Sequence, residues 1–206
     1  MAKPADTGTV RVWDPLIRIA HWALVAGFAI AYLTEGEPQW LHSYAGYIIA
    51  VVVVLRLAWG FVGPRSARFS DFVTGPGQVI AYLRGLVTGR AKRHIGHSPA
   101  GGAMTVALLL ALALTALSGM ATLAVEDGEG PLAGLVTAQS LPAWAMEDED
   151  YGDGETGEAF EEIHEIAVNA TLLLIVLHVA GVVVASMVHH ENLVRSMLTG
   201  RKRIGE

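Results

Sequence analysis

Residues 163–188 read IHEIAVNATLLLIVLHVAGVVVASMV. After Glu165 the stretch carries no charge, and it is long enough to cross the apolar core of a bilayer, which takes roughly 20 helical residues. It also carries His164 and His178. Ionisable side chains are costly in lipid unless they face the interior of a helical assembly. What surrounds this helix therefore decides the fold.

Three more stretches qualify as spans. Residues 17–33 hold no charge after Arg18, residues 40–62 hold only Arg56, and residues 98–125 hold none. The apolar pattern predicts an all-α, integral membrane four-helix bundle over residues 17–188, with helices at 17–34, 40–63, 101–125 and 162–188. Residues 1–16 form a leading segment, 126–161 an acidic loop, and 189–206 a basic tail. The polar lead MAKPADTGTVRVWDP is long for a signal peptide, and no small-residue cleavage motif follows the first apolar run, so that run is expected to remain as a helix.

The composition agrees. Of 206 residues, 52% are hydrophobic and 17% charged, against roughly 45–50% and about 25% in soluble domains. There is no cysteine, which excludes disulfide scaffolds, thiolate metal sites, cysteine nucleophiles and thioether-linked cofactors. A net charge of −6 argues against a nucleic-acid binder.

Charge also sets an orientation. Lys3, Arg11 and Arg18 open the chain. Arg65, Arg68, Arg84, Arg90, Lys92 and Arg93 crowd the loop between helices two and three, and Arg195, Arg201, Lys202 and Arg203 close the tail. The two remaining loops hold no basic residue. The shorter has Glu35 and Glu37, and the stretch 125–162 has twelve acids. Positive-inside bias then predicts both termini and the arginine-rich loop in the cytoplasm. Within that loop, Val79, Ile80, Leu83, Leu86 and Val87 fall at helical spacing, as in a short helix lying on the membrane surface. The longer acidic loop divides into an apolar part, 131–146, and the run 147–162. That run reads as a solvated loop or as a docking patch for a basic partner.

Four of the eight histidines lie in the predicted spans: His21, His42, His164 and His178. A single membrane histidine can simply hydrogen-bond a neighbouring helix, but these four pair by depth. His164 and His178 are fourteen residues apart, about 40° short of four turns, so they share a face and lie about 21 Å apart along the axis. His21 enters helix one at the end where His178 leaves helix four. His42 and His164 both sit in the first turn at the opposite end. Each pair can offer two axial imidazoles to one iron, and two histidines are too few for a four-ligand zinc site. The acids Glu161, Glu162 and Glu165 leave a metal beside His164 open as an alternative. Gly46, one turn from His42, and Gly181, three residues past His178, would let a flat macrocycle approach the backbone, although glycine is common in membrane helices. Arg56 shares the face of His42, and Arg18 lies three residues before His21. Arginine's planar fork suits the carboxylates of a haem, while snorkelling or an interfacial charge would also account for either. His94, His97, His189 and His190 read as interfacial. Trp13, Trp22, Trp40, Trp59 and Trp144 fall mostly near segment ends, like an aromatic belt.

Three runs, VRVWDPLIRIAHW (10–22), LHSYAGYIIAVVVVLRLAWGFVGPRSARF (41–69) and IGHSPAGGAM (95–104), stand beside the helix-four histidines. Together they resemble the bacterial cytochrome b561 and nickel–iron hydrogenase cytochrome b subunit family, from about residue 10 to 198. The resemblance implies a four-helix bacterial inner-membrane protein with two non-covalent b haems held by His21, His42, His164 and His178. It also implies electron exchange with quinone, and a redox partner that differs between members: a hydrogenase or other oxidoreductase complex, a periplasmic c-type cytochrome, or superoxide. A homodimer is compatible with it. His94, His97, His189 and His190 could then assist proton uptake near the quinone. The long acidic loop departs from a compact member and favours a basic c-type cytochrome as partner. The competing readings are a haem-free membrane anchor subunit and a small transporter with structural histidines.

Overall fold

The computed structural model describes residues 8–34, 37–136 and 153–204, with side chains in the last stretch from residue 157. The long helices are α1 (Pro15–Thr34), α2 (Gln39–Val62), α5 (Pro99–Glu126) and α6 (Asp153–Val188). The short helices are α3 (Phe69–Phe72), α4 (Pro76–Val87) and α7 (Leu193–Thr199). The strands are β1 (Thr9–Arg11) and β2 (Arg201–Arg203). The four long helices are each apolar and long enough to cross a membrane. The protein is a multi-pass helical membrane protein.

Helix starts follow a shared sequence rule. Asp14 accepts the amide of Ile17 at 3.0 Å ahead of Pro15, and Ser98 accepts the amide of Gly101 at 3.1 Å ahead of Pro99. A short polar side chain at the cap satisfies an orphan donor, and proline has no donor to lose in the first turn. Two expectations need correcting. The fourth helix starts at Asp153 rather than at 162. Carboxylates are favoured at a helix N-terminus, so the acidic run prolongs the helix beyond the stretch that hydropathy can see. The chain is also not wholly helical, because β1 and β2 pair antiparallel, with Arg11 opposite Arg201. The centre of the acidic loop (137–152), and with it Trp144 and the first part of the proposed docking patch, lies outside the described residues. So do Lys3 and Glu35.

The chain divides into two compact units, and every long helix contributes one end to each. One unit comprises residues 1–22, 54–107 and 174–206. Its core is Val12, Trp13, Ile17 and Ala67, with Val10, Trp59 and Met197 against it. Here α4 turns Tyr82 and Leu86 inward and leaves Ile80, Leu83 and Val87 exposed. An outward apolar stripe beside the ends of spans suits a helix lying in the interface.

The other unit comprises residues 23–53 and 108–173. Ala45, Ile49 and Val53, one turn apart on α2, are buried, and Gly27 lets α1 close on Ile49. The hydroxyls of Thr115 and Thr171 meet at 3.0 Å, and both side chains are buried. Each therefore satisfies a polar group that would be expensive unpaired.

Candidate functional site

The four span histidines form two facing pairs, one in each unit. In the unit built from residues 23–53 and 108–173, the rings of His42 on α2 and His164 on α6 stand with centroids 6.1 Å apart and planes 77° apart. His42 Nδ1 lies 3.0 Å from the carbonyl oxygen of Ala31 on α1. His164 Nδ1 lies 2.9 Å from the carbonyl of Thr115 and 3.2 Å from the hydroxyl of Ser118. A carbonyl only accepts, so Nδ1 carries the proton in both rings and donates it. Each Nε2 is then left as a lone pair, the state in which imidazole ligates a metal. Gly119 makes room for this arrangement. A Cβ there would stand 2.8 Å from His164 Cε1.

In the other unit, His21 on α1 and His178 on α6 face each other with centroids 6.4 Å apart and planes 56° apart. His21 Nδ1 is buried without a hydrogen-bond partner among the described residues. Arg56 in the same unit is 5% exposed, and its guanidinium lies over the rings of Phe69 and Phe72, 5.0 and 5.8 Å from their centroids. The aromatic faces supply part of the stabilisation that water would give. Its Nη1 nevertheless has no partner among the described residues.

These observations test the fit to haem. A metal-bound imidazole nitrogen lies about 2 Å from the metal and about 1 Å from its own ring centre, so two trans imidazoles hold their centroids about 6 Å apart. Both pairs meet that spacing. Among the described residues, no three His, Asp or Glu side chains are placed to share an ion, so Glu161, Glu162 and Glu165 do not turn the His42–His164 pair into a metal cluster. At Gly46 and at Gly181 a Cβ would meet nothing within 4 Å. The buried, unpartnered Nη1 of Arg56 calls for an anion.

Arg18, expected from its spacing to suit a haem carboxylate, is placed against the end of α7. Its guanidinium donates to the carbonyls of Met197 and Leu198, the former at 3.3 Å. The last carbonyls of a helix are unsatisfied and negatively polarised, so they compete well for an arginine.

Three of the four remaining histidines, His94, His97 and His189, make side-chain contacts among the described residues. His97 stacks on Phe72 at 4.1 Å and meets Trp13 edge-on at 4.6 Å. Burial pushes it down to about 4, and the charges of Arg56 and Lys202 add to this, so the ring is neutral at pH 7. His189 Nε2 lies 3.2 Å from the Tyr82 hydroxyl, and His94 Nδ1 lies 2.9 Å from the carbonyl of Lys92. The sequence reading missed Thr115, Ser118, Gly119, Phe69 and Phe72. None is ionisable, and each matters only through a neighbour distant in sequence.

Membrane-length helices that present histidines in facing pairs at ligand spacing define a class, the b-type membrane cytochromes. The chain belongs to the prokaryotic cytochrome b561 family, whose profile matches residues 12–200. It is a cytochrome of the membrane electron-transport kind, and the family's cofactor is haem b. Among curated proteins it is similar to a probable Ni/Fe-hydrogenase B-type cytochrome subunit of Rhizobium leguminosarum bv. viciae, 23% identical over 97% of this chain and 91% of the relative. It is also similar to the protein of the same description from Bradyrhizobium diazoefficiens, 21% identical over 95% of this chain and 86% of the relative. No solved structure is a significant match.

Proposed function

We propose that this chain carries electrons across a bacterial inner membrane between quinone and a redox partner, using two non-covalent b haems. His21 and His178 would hold one haem, and His42 and His164 the other. Arg56 would meet a propionate of the first haem, and Gly46 would leave room for the macrocycle of the second. The observation that carries this is the pairing, two histidine pairs whose rings stand 6.4 and 6.1 Å apart. Bound there, each haem would supply a one-electron carrier held by two histidines, which favours outer-sphere transfer over substrate chemistry.

The chain's own residues prepare the sites. Ala31, Thr115 and Ser118 keep the proton on Nδ1 of His42 and His164, which leaves Nε2 as the nitrogen that would ligate a metal.

The charge distribution supports both termini lying in the cytoplasm. The β1–β2 pairing, which joins residues from both ends of the chain, supports their lying on one side. The names of the two relatives favour an oxidoreductase complex as partner, and the acidic loop favours a basic c-type cytochrome.

The test is haem counting on the purified protein. Two haems per chain with a reduced b-type spectrum are expected. His164→Ala and His178→Ala should each remove one haem, and a preparation that keeps both in either variant would overturn the pairing. Reduction by a quinol tests the quinone link, and failure of every quinol to reduce either haem would refute it.

A further inference from the structure

Beyond the end of α6, a cavity of about 800 Å³ opens between the strand ribbon and α7. Its walls include Thr9, Arg11, Arg195, Arg201 and Arg203. Four of these are one face of the ribbon. In β1, Thr9 and Arg11 are exposed while Val10 turns in. In β2, Arg201 and Arg203 are exposed while Lys202 is buried. The register sets Arg11 directly opposite Arg201 and Thr9 opposite Arg203. Like charges directly opposite across strands destabilise the pair, so the ribbon concentrates positive charge against its own interest.

The cavity's one acid is already engaged. Glu191 is 7% exposed and pairs with Arg93 at 3.1 Å and with Lys202 at 3.6 Å. Arg203 donates to the His190 carbonyl at 2.6 Å. The side chains of Arg11, Arg195 and Arg201 make no hydrogen bond or salt bridge to another described residue.

A second hollow adjoins the first. An open groove of about 450 Å³ runs along the end of α6, walled by Val182, Val183, Met187 and Val194, and it shares His190, Glu191 and Asn192 with the basic cavity. An apolar groove on a membrane-spanning helix that leads into a cluster of arginines just past the span, three of them without a side-chain partner among the described residues, is matched by an amphiphile with an anionic head. Basic pockets at the ends of spans bind acidic lipid headgroups in this way.

We propose that this end of the molecule binds an anionic phospholipid, with its phosphate among Arg11, Arg195, Arg201 and Arg203 and an acyl chain along Val182, Val183, Met187 and Val194. The headgroup also relieves the Arg11–Arg201 repulsion, so the lipid holds the two chain ends together.

The experiment is thermal unfolding of the full-length, haem-loaded protein in dodecyl maltoside. The probes are dioleoylphosphatidylglycerol, dioleoylphosphatidylcholine and inorganic phosphate, titrated separately. Phosphatidylglycerol is expected to raise the unfolding temperature saturably, and phosphatidylcholine and phosphate at equal concentration to leave it unchanged. Arg201→Gln should weaken the phosphatidylglycerol effect about fivefold, as should Arg11→Gln. Neither should lower the unfolding temperature without lipid, because each removes half of a like-charge pair. Val183→Trp, which fills the groove and leaves every arginine in place, should also weaken the effect. Equal shifts with phosphatidylcholine, an undiminished effect in both arginine variants, or an undiminished effect in Val183→Trp would overturn the proposal. A full shift with phosphate alone would show an anion site without a lipid, and would overturn it too.

Discussion

The ring of His164 is positioned by one proton. Its Nδ1 faces the Thr115 carbonyl and the Ser118 hydroxyl, and Gly119 alone leaves space for the ring. His164 was legible from the sequence because it lies fourteen residues before His178 and shares its helix face. Gly119 was not, since α5 carries no charge before Glu126 to draw attention and glycine is ordinary in a span. Gly119→Ala should push the ring out of line. The expected outcome is loss of one of two haems, with the His21–His178 haem retained, read by haem content and by the reduced spectrum. Two intact haems in this variant would remove Gly119 from the site. Arg18 and Arg56 make the complementary point. Both looked suited to a carboxylate, and only the fold shows that Arg18 is taken by helix-end carbonyls while Arg56 is buried with Nη1 unpartnered.

Along the elements, α6 is informative at both ends. Its start was misplaced because hydropathy registers lipid-facing residues and not the acidic turns that extend a helix into water. Its finish is a crossed pair of backbone bonds, Glu191 N to Ser186 O at 3.0 Å and His190 N to Met187 O at 3.3 Å. His190 sits between them at φ 48°. This terminating motif ordinarily uses glycine, because a left-handed conformation costs a residue with Cβ about 1–2 kcal/mol. His190→Gly should therefore stabilise the protein by about 1 kcal/mol, seen as a higher unfolding temperature in detergent. An unfolding temperature below that of the parent would show that the imidazole contributes a contact of its own. The apolar spacing within 76–90 was enough to predict α4, but which stripe faces in depended on the location of Tyr82's neighbours.

For the molecule as a whole, the buried Glu191 pairs with the buried Lys202 and with the half-buried Arg93, and so ties the loop before α5, the end of α6 and the last strand together. Burial lowers the Lys202 ammonium below its usual range, and Glu191 opposes that shift. Removing one member of a buried set leaves charge without compensation, so Glu191→Gln should cost about 3–5 kcal/mol. The double variant Glu191→Gln/Lys202→Met should recover much of the loss. Unfolding temperatures of the two variants check this, and a single variant as stable as the parent would mean that water already compensates the charges. By itself the sequence determined the number of spans, the alternation of basic and acidic loops and which four histidines lie in the spans. Hydrophobic length, loop charge and helical spacing are local quantities that any reader of the chain can sum. Only the tertiary structure decided which nitrogen of His42 and His164 is free, which arginine is unpartnered, and that Arg11 lies beside Arg201. These depend on contacts between residues far apart in the chain, and no local sum contains them.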